Sequence, residues 1–503
     1  MSKYVLGIDN GGTVIKAALY DLTGHEVAVA SSKVEMNIPE PGYTERDAEE
    51  LWEANVRAIA GVVQQSGINT GDIAAIATTG HGNGLYLIGQ DGTPVYPGIY
   101  STDVRAQGYV DRWYADGTFD TVLPKTMQSI WAGQPVALLV WFQDHKPEIL
   151  KKVRWIFMCK DYIRYRLTGE AYAEITDMSG SNLMNVRDVT YDRELLREFG
   201  LENCFEMLPP LKYSSEICGT VNQEAAQKTG LKVGTPVAGG LFDIDACAIA
   251  TGITDDEKFC IIAGTWSINQ YISKQPIVSK SLFMTSLYCV PGYWLATEAS
   301  PTSASNLEWF VTEFLGDNYA PIAGSGKSVY DLCNEWVESI APEETHIIFL
   351  PFLYGSNVEA GAKACFIGLK GWHHKAHILR ALYEGVVFSH KMHIEKLLAY
   401  RDMPKVARIT GGAARSEVWC QMFADVLQAP LEVMSGTELG TLGAAMCAGV
   451  ATGHFPSLER ASENMVQVVR TILPNPDNKT IYEEKYANYK KTVETLASLW
   501  KHV

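Results

Sequence analysis

An apolar strand, a Gly-Thr turn and a second strand follow one another twice in this 503-residue chain. The first copy is Tyr4-Val-Leu-Gly-Ile-Asp9, then Asn10-Gly11-Gly12-Thr13, then Val14 to Tyr20, which carries Lys16. The second is Phe259-Cys-Ile-Ile-Ala-Gly264, then Thr265-Trp266-Ser267, then a strand from Ile268 to Ile272. Strand, turn, strand predicts a hairpin, with glycines supplying positive φ. In the first copy, bare N–H groups, the Thr13 hydroxyl and Lys16 would converge on one point suited to a phosphate oxygen. Asp9 could hold Mg²⁺ there; a plain Gly-Gly hairpin without ligand is the alternative. The repetition reads as an internal duplication. It predicts an α/β chain of two domains, 1–246 and 247–503, with a cleft between them.

Between the copies lies Gly234 to Gly252. A short apolar run, Pro236 to Ala238, leads into Gly239 and Gly240, then Asp243, then small residues at helical spacing. This predicts a buried strand, a tight turn and a helix start, with Asp243 where free N–H groups and the helix dipole favour a carboxylate. A mere N-cap is the competing reading. A third glycine turn, Gly411-Gly412-Ala413-Ala414-Arg415, follows the strand from Val406 and suits a flat base or an α-phosphate. The helix from Ser416 should turn Trp419, Met422, Phe423 and Val426 inward, and the small-residue helix within 436–449 should pack closely against it.

Ile73 to Thr79 is a predicted buried strand that ends in Gly80-His81-Gly82-Asn83-Gly84, a candidate pocket floor. His81, Asn83 and Asp103 offer the donors and acceptors that sugar hydroxyls require. A structural Asp103–Arg105 pair is an equal alternative. Residues 106–235 look mostly helical, with apolar faces at Leu138, Leu139, Trp141 and Phe142 and again from Trp155 to Leu167.

A net charge of −16 argues against a nucleic-acid partner. No run of 18 apolar residues predicts a membrane span, and the N-terminal apolar run is too short for a signal peptide. Ten cysteines scattered from Cys159 to Cys447 fit reduced thiols in the cytoplasm. Gly324-Ser-Gly-Lys-Ser328 imitates a nucleotide P-loop, but Pro321 stands where that pattern needs glycine. His373, His374 and His377, and likewise His390 and His393, lack an evident acidic or cysteine partner for a metal site. Tyr482, Tyr486, Tyr489, Val493, Leu496 and Trp500 form one helical stripe, which packs on its own domain or, alternatively, forms a homodimer contact.

Together these motifs resemble the FGGY carbohydrate kinases, members of the actin-like, ribonuclease-H-like ATPases. Asp9-Asn-Gly-Gly-Thr13 resembles the family's first phosphate motif, Gly264-Thr265-Trp-Ser267 its second, and Gly411-Gly412-Ala-Ala-Arg415 its adenosine motif. Ala364-Cys-Phe366-Ile-Gly368-Leu369 with His377-Ile-Leu-Arg-Ala381-Leu-Tyr-Glu384-Gly385 resembles its second signature. The first signature, around Pro135 to Glu148, departs at Leu138, where lysine is usual. The resemblance implies two actin-like domains, ATP and Mg²⁺ as cofactors, and phosphorylation of a terminal sugar hydroxyl. By position, Asp243 resembles the general base, Asp9 and Asp243 the metal ligands, and Asp245 ranks second as base. Phe349-Leu-Pro-Phe-Leu-Tyr-Gly-Ser-Asn357 and Glu298-Ala-Ser-Pro-Thr-Ser303 resemble the branch acting on L-xylulose. Ribulose, alditols and glycerol are alternative acceptors, and a non-catalytic sugar-binding regulator is the alternative of a different class. Closure on the sugar would shield ATP from water, so ATP hydrolysis without sugar should be slow.

Overall fold

The computed structural model describes residues 3–316, 327–359, 361–436 and 438–502. Most of the P-loop-like stretch, 324–326, and Pro321 fall outside the described residues. The chain divides into two compact units. One comprises Met1–Thr254, Ile272–Ala296 and Gly436–Val466; the other comprises Asp255–Tyr271, Thr297–Ser435 and Gln467–Val503. Neither unit is one continuous piece of chain.

The first unit is built on a mixed sheet. Its strands are β1 (Tyr4–Asn10), β2 (Val14–Asp21), β3 (Glu26–Lys33), β4 (Ile73–Gly80), β5 (Ile217–Thr220), β6 (Pro236–Ala238) and β7 (Leu241–Phe242). The order is β5-β6-β4-β1-β2-β3, with β7 also on β4. β1 pairs antiparallel with β2 and parallel with β4. All eight residues of β4 are buried, as a central parallel strand covered on both faces requires. Helix α1 (Ala48–Ser66) starts on Asp47, whose carboxylate accepts from Glu49 N and Glu50 N, and ends at Gly67 with φ 61°. It places Leu51, Trp52 and Ile59 against β2 and β3. Helix α2 (Pro135–His145) buries Val136 through Phe142 continuously, so it lies inside a second core instead of showing one amphipathic face. The apolar stretch from Trp155 to Leu167 divides into a strand, Val153–Phe157, and a helix, Cys159–Thr168. Its composition alone could not separate the two. Helix α3 (Asp243–Ala250) follows β7 directly.

The second unit repeats this pattern. β8 (Lys258–Ala263) pairs antiparallel with β9 (Ser267–Ser273) and parallel with β10 (Val406–Thr410). β10 pairs parallel with β11 (Leu431–Met434), and β11 antiparallel with β12 (Val468–Ile472). The first unit shows the same succession in β2-β1-β4-β6-β5. The duplication seen in two glycine turns therefore extends to whole sheets. Helix α4 (Lys375–Leu397) is buried along most of its length, and α5 (Glu417–Leu427) starts on Ser416, whose hydroxyl accepts from Trp419 N.

Helix α6 (Leu439–Ala451) was expected against the Ser416 helix, but it belongs to the first unit. There it packs on β1, β4 and α3. Its small residues explain the placement. A Cβ on Gly443 would stand 2.4 Å from Ala246 O, and one on the facing Gly7 only 1.8 Å from Thr441 O. Backbones approach this closely only where side chains are missing. Helix α7 (Lys479–Leu496) buries Tyr482, Tyr486, Tyr489 and Val493 within its own unit, where Phe388 meets three of those rings. The aromatic stripe thus has an intramolecular partner.

Candidate active site

Three parallel strands of the first unit end together. Asp9 and Asn10 of β1 align with Thr79 and Gly80 of β4, and these align with Leu241 and Phe242 of β7. The carboxyl ends of parallel strands are where open α/β sheets hold ligands, and Asp243 is the next residue. It is the first residue of α3, not its cap; Phe242 holds the cap position without a side-chain bond. The turn is fixed from below. Phe242 N donates to Thr176 Oγ1 at 2.9 Å, and Thr176 Oγ1 donates to Glu174 Oε2 at 2.7 Å. A Cβ on Gly240 would stand 1.9 Å from Thr78 O, which explains the glycine pair before the acid.

Asp9 and Asp243 are half-buried and act on each other. Burial, then repulsion from Asp9, pushes Asp243 up to about 7, against two helix N-terminal N–H groups that pull it down. Burial likewise lifts Asp9 to about 6, with Lys16 opposing and Glu438 adding to the rise. Against an ordinary Asp value of roughly 4, Asp243 is matched to neutral pH. Asp245, ranked second as base, is fully buried, and its Oδ1 accepts from Cys289 N at 3.0 Å. Burial holds it well above the usual carboxylate range. Two mutually repelling carboxylates without a dedicated cation suit Mg²⁺, which takes one or two protein oxygens and fills its shell with water and phosphate. No group of three or more metal-ligating side chains exists among the described residues.

The hairpin around Asn10–Thr13 forms as expected, but its glycines serve a different purpose. Neither Gly11 nor Gly12 has positive φ. Close approach requires them: added Cβ atoms would stand 2.8 Å from Val14 O and 2.5 Å from the Tyr100 hydroxyl, respectively. Thr13 is exposed. Lys16 is not a free cation, since its Nζ donates to Glu438 Oε2 at 2.6 Å. A phosphate would have to compete with Glu438 for it.

Beside this turn, His81 and Asn83 are buried; among the described residues Asn83 Oδ1 meets no hydrogen-bond partner, and the His81 ring meets at most the Gly82 backbone in a poorly aligned contact. Asn83 has φ 63°, a conformation asparagine tolerates better than most residues. The His81 ring lies 4.2 Å from Tyr100, edge to face. Burial, then the Arg46 charge, holds His81 well below the usual histidine range, hence neutral. Asp103 does not share this openness. Its oxygens accept from Arg105 N, Nε and Nη2 and from Thr44 N. Arg105 also binds Glu45 and lies over Tyr43. The structural Asp–Arg pair is thus what forms.

In the second unit, Gly411 has φ 91°, and a Cβ there would stand 2.6 Å from the Ala263 carbonyl. The adenosine-type turn therefore abuts the turn at Gly264 and Thr265. Gly412 and Arg415 lie on the exposed side of a short 3₁₀ turn, and Thr265 is exposed. Ser305 Oγ donates to Thr265 O at 3.1 Å, and His390 Nδ1 meets Ser267 Oγ at 3.1 Å. His393 does have an acidic partner, Glu298, at 3.0 Å, which the sequence did not disclose. Its other nitrogen meets Ser300 Oγ at 2.7 Å, so it belongs to a buried hydrogen-bond network.

Sequence inspection overlooked Arg46, Tyr100, Thr79 and Glu438. Arg46 sits in the two-residue strand Glu45–Arg46 just before the visible Asp47 cap, a segment too short to show periodicity.

Two family models match most of the chain, the FGGY family of carbohydrate kinases N-terminal domain over residues 4–250 and its C-terminal domain over residues 259–452. The chain belongs to the FGGY family of carbohydrate kinases. As an FGGY kinase it is a phosphotransferase with an alcohol group as acceptor, and it uses ATP. The "Probable L-xylulose kinase" of Pasteurella multocida (strain Pm70) is 38% identical over 500 residues, covering 99% of each chain. The "L-xylulose/3-keto-L-gulonate kinase" of Escherichia coli (strain K12) is 36% identical over 497 residues, covering 99% of this chain and 98% of the other. Among solved FGGY-like folds, the ligand-bound xylulose kinase from Lactobacillus acidophilus superposes with a TM-score of 0.91 at 24% identity, covering 99% of each chain. The two-domain α/β kinase fold is thereby shown.

Proposed function

We propose that this kinase transfers the γ-phosphoryl group of ATP to the terminal hydroxyl of L-xylulose, giving L-xylulose 5-phosphate. The observation that carries the mechanism is Asp243, at the joint end of β1, β4 and β7, raised to about 7. A base with that affinity takes the hydroxyl proton as the oxygen attacks, and is largely ionised just above neutral pH. Relatives at 38% and 36% identity whose names specify L-xylulose support the sugar. His81 and Asn83 would bind its hydroxyls; Asp103 is better assigned to holding Arg105. The N–H groups around Gly11, Gly12 and Thr13 would neutralise the transferred group, with Lys16 contributing if Glu438 yields; Gly264 and Thr265 are a second candidate phosphate turn. Gly411, Gly412 and Arg415 would take the adenosine end. Asp9 and Asp243 would hold Mg²⁺, which supplies charge neutralisation on the phosphates. The family domains, 1–246 and 247–503 as first drawn, would divide these tasks into acceptor side and nucleotide side. None of the ten cysteines is in a disulfide, which fits a cytoplasmic enzyme.

The test is ADP release measured on L-xylulose, D-xylulose, L-ribulose, xylitol and glycerol, repeated with Asp243→Asn. We expect the highest kcat/KM on L-xylulose and its loss in the variant. A preference for glycerol or an alditol would replace the sugar assignment. Near-normal turnover by Asp243→Asn would remove the base.

A further inference from the structure

Arg46 is fully buried, yet only one of its three nitrogens has a partner among the described residues. Nη2 donates to Gly12 O in the first phosphate turn, whereas Nε and Nη1 donate to no described residue. A buried guanidinium is normally paired with a carboxylate or fully hydrogen-bonded, because its desolvation is otherwise uncompensated. Arg105 shows the usual solution a short distance along the chain, with Asp103 and Glu45 both bound.

The surroundings of Arg46 are unsatisfied in a matching way. Its Cζ lies 5.3 Å from the Tyr100 ring centroid, and that ring touches His81. His81 Nδ1 and Nε2 make no well-aligned hydrogen bond, and Asn83 Oδ1 and Thr79 Oγ1 are buried without partners among the described residues. These residues come from the end of β4 and the loop after it, beside Asp243. Buried donors and acceptors left open together, beside the strand end that leads into Asp243, form the complement of a molecule rich in hydroxyls and carbonyl oxygen. The backbone at Arg46 is set independently. Arg46 pairs with Gly98, and Asp47 caps α1. The side chain is therefore held for a task that the fold itself does not require.

We propose that Arg46 is an acceptor-binding residue: Nε and Nη1 donate to oxygens of the acceptor sugar while Nη2 remains on Gly12 O, so one guanidinium joins the acceptor to the phosphate turn. The inference rests on the kinase reading above and adds a residue to the acceptor site. A sugar that fills the pocket supplies the missing acceptors. It would also fix the carbonyl of Gly12, in the turn proposed above to bind phosphate. Lysine cannot substitute, because one ammonium does not reproduce three donors in a plane.

The experiment measures KM for L-xylulose, kcat, and the Kd of a non-hydrolysable ATP analogue in wild type, Arg46→Lys, Arg46→Gln and Arg46→Ala. We expect KM for the sugar to rise roughly 100-fold or more in all three, since a site left with unpaired polar groups discriminates strongly. The Kd of the nucleotide analogue should change less than about threefold, and added methylguanidine should restore part of the Arg46→Ala turnover. In the wild-type enzyme, the Arg46 Nε–H resonance should shift on adding L-xylulose. That measurement needs no variant to fold. An unshifted resonance, an unchanged sugar KM, or equal losses of sugar and nucleotide binding would overturn the proposal. If the wild type phosphorylates no pentulose, the parent reading fails. If it does and the variants keep their sugar KM, only this inference fails.

Discussion

Asp243 gives the sharpest residue-scale expectations. Replacing it with Asn should lower kcat by about 10²- to 10⁴-fold, the usual contribution of a general base, in a coupled ADP-release assay at pH 8. The pH profile of kcat/KM should rise through about 7 as the free acid ionises. Stability moves the other way. The folded pKa of Asp243 lies above its unfolded value of 3.8, so the native state holds the proton more tightly. Stability from this group is present below about pH 4 and is lost as pH rises through 7. Asp243→Asn should therefore melt higher than wild type at pH 8, with the gap closing toward pH 4; a lower Tm at pH 8 would contradict this. The sequence disclosed this acid because the glycine pair before it is a strong turn signal. It concealed the raised pKa, which comes first from burial and then from Asp9, distant in sequence and carried on a strand that β4 separates from β7. It also concealed the partner of Lys16, since Glu438 is 422 residues away.

At the scale of elements, the glycines of α6 and β1 do different work. A Cβ on Gly7 would collide with backbone at Thr441, which nothing local can relieve. Gly7→Ala should lose about 3 kcal/mol or more of stability by overpacking, measured by denaturant titration. A Cβ on Gly440 would stand 2.3 Å from Asp9 Oδ2, the end of a side chain that can turn aside. Gly440→Ala should keep most of its stability and lose turnover because Asp9 is displaced. Equal effects of the two changes on Tm and kcat would refute the distinction. The strand–turn–strand repeats were readable from apolar runs and glycines. The reason for glycine at positions 11 and 12 was not, because crowding by Val14 and Tyr100 appears only in three dimensions.

At the scale of the molecule, each unit draws on separated segments. The family model for the N-terminal domain ends at residue 250, yet the structure covers β1 and β4 with α6. A fragment of residues 1–254 should therefore expose the apolar faces of β1 and β4. We expect it to be insoluble or to bind hydrophobic dyes, and a fragment also carrying 436–466 on a linker to behave better. A well-folded 1–254 fragment with a sharp melting transition would show that α6 is dispensable. A linear reading could find both halves, but it could not foresee a helix near one end of the chain completing a sheet laid down at the other.

That late helix affects how the enzyme is made. Asp9 leaves the ribosome among the first residues, while Gly440, against which its carboxylate rests, follows 431 positions later. At about 5–20 residues per second, translation leaves the nascent acid unsupported for roughly 20 seconds to a minute and a half. A message broken before that point yields chains in which Asp9 lacks its backing, so prematurely terminated products should hydrolyse little of the cell's ATP.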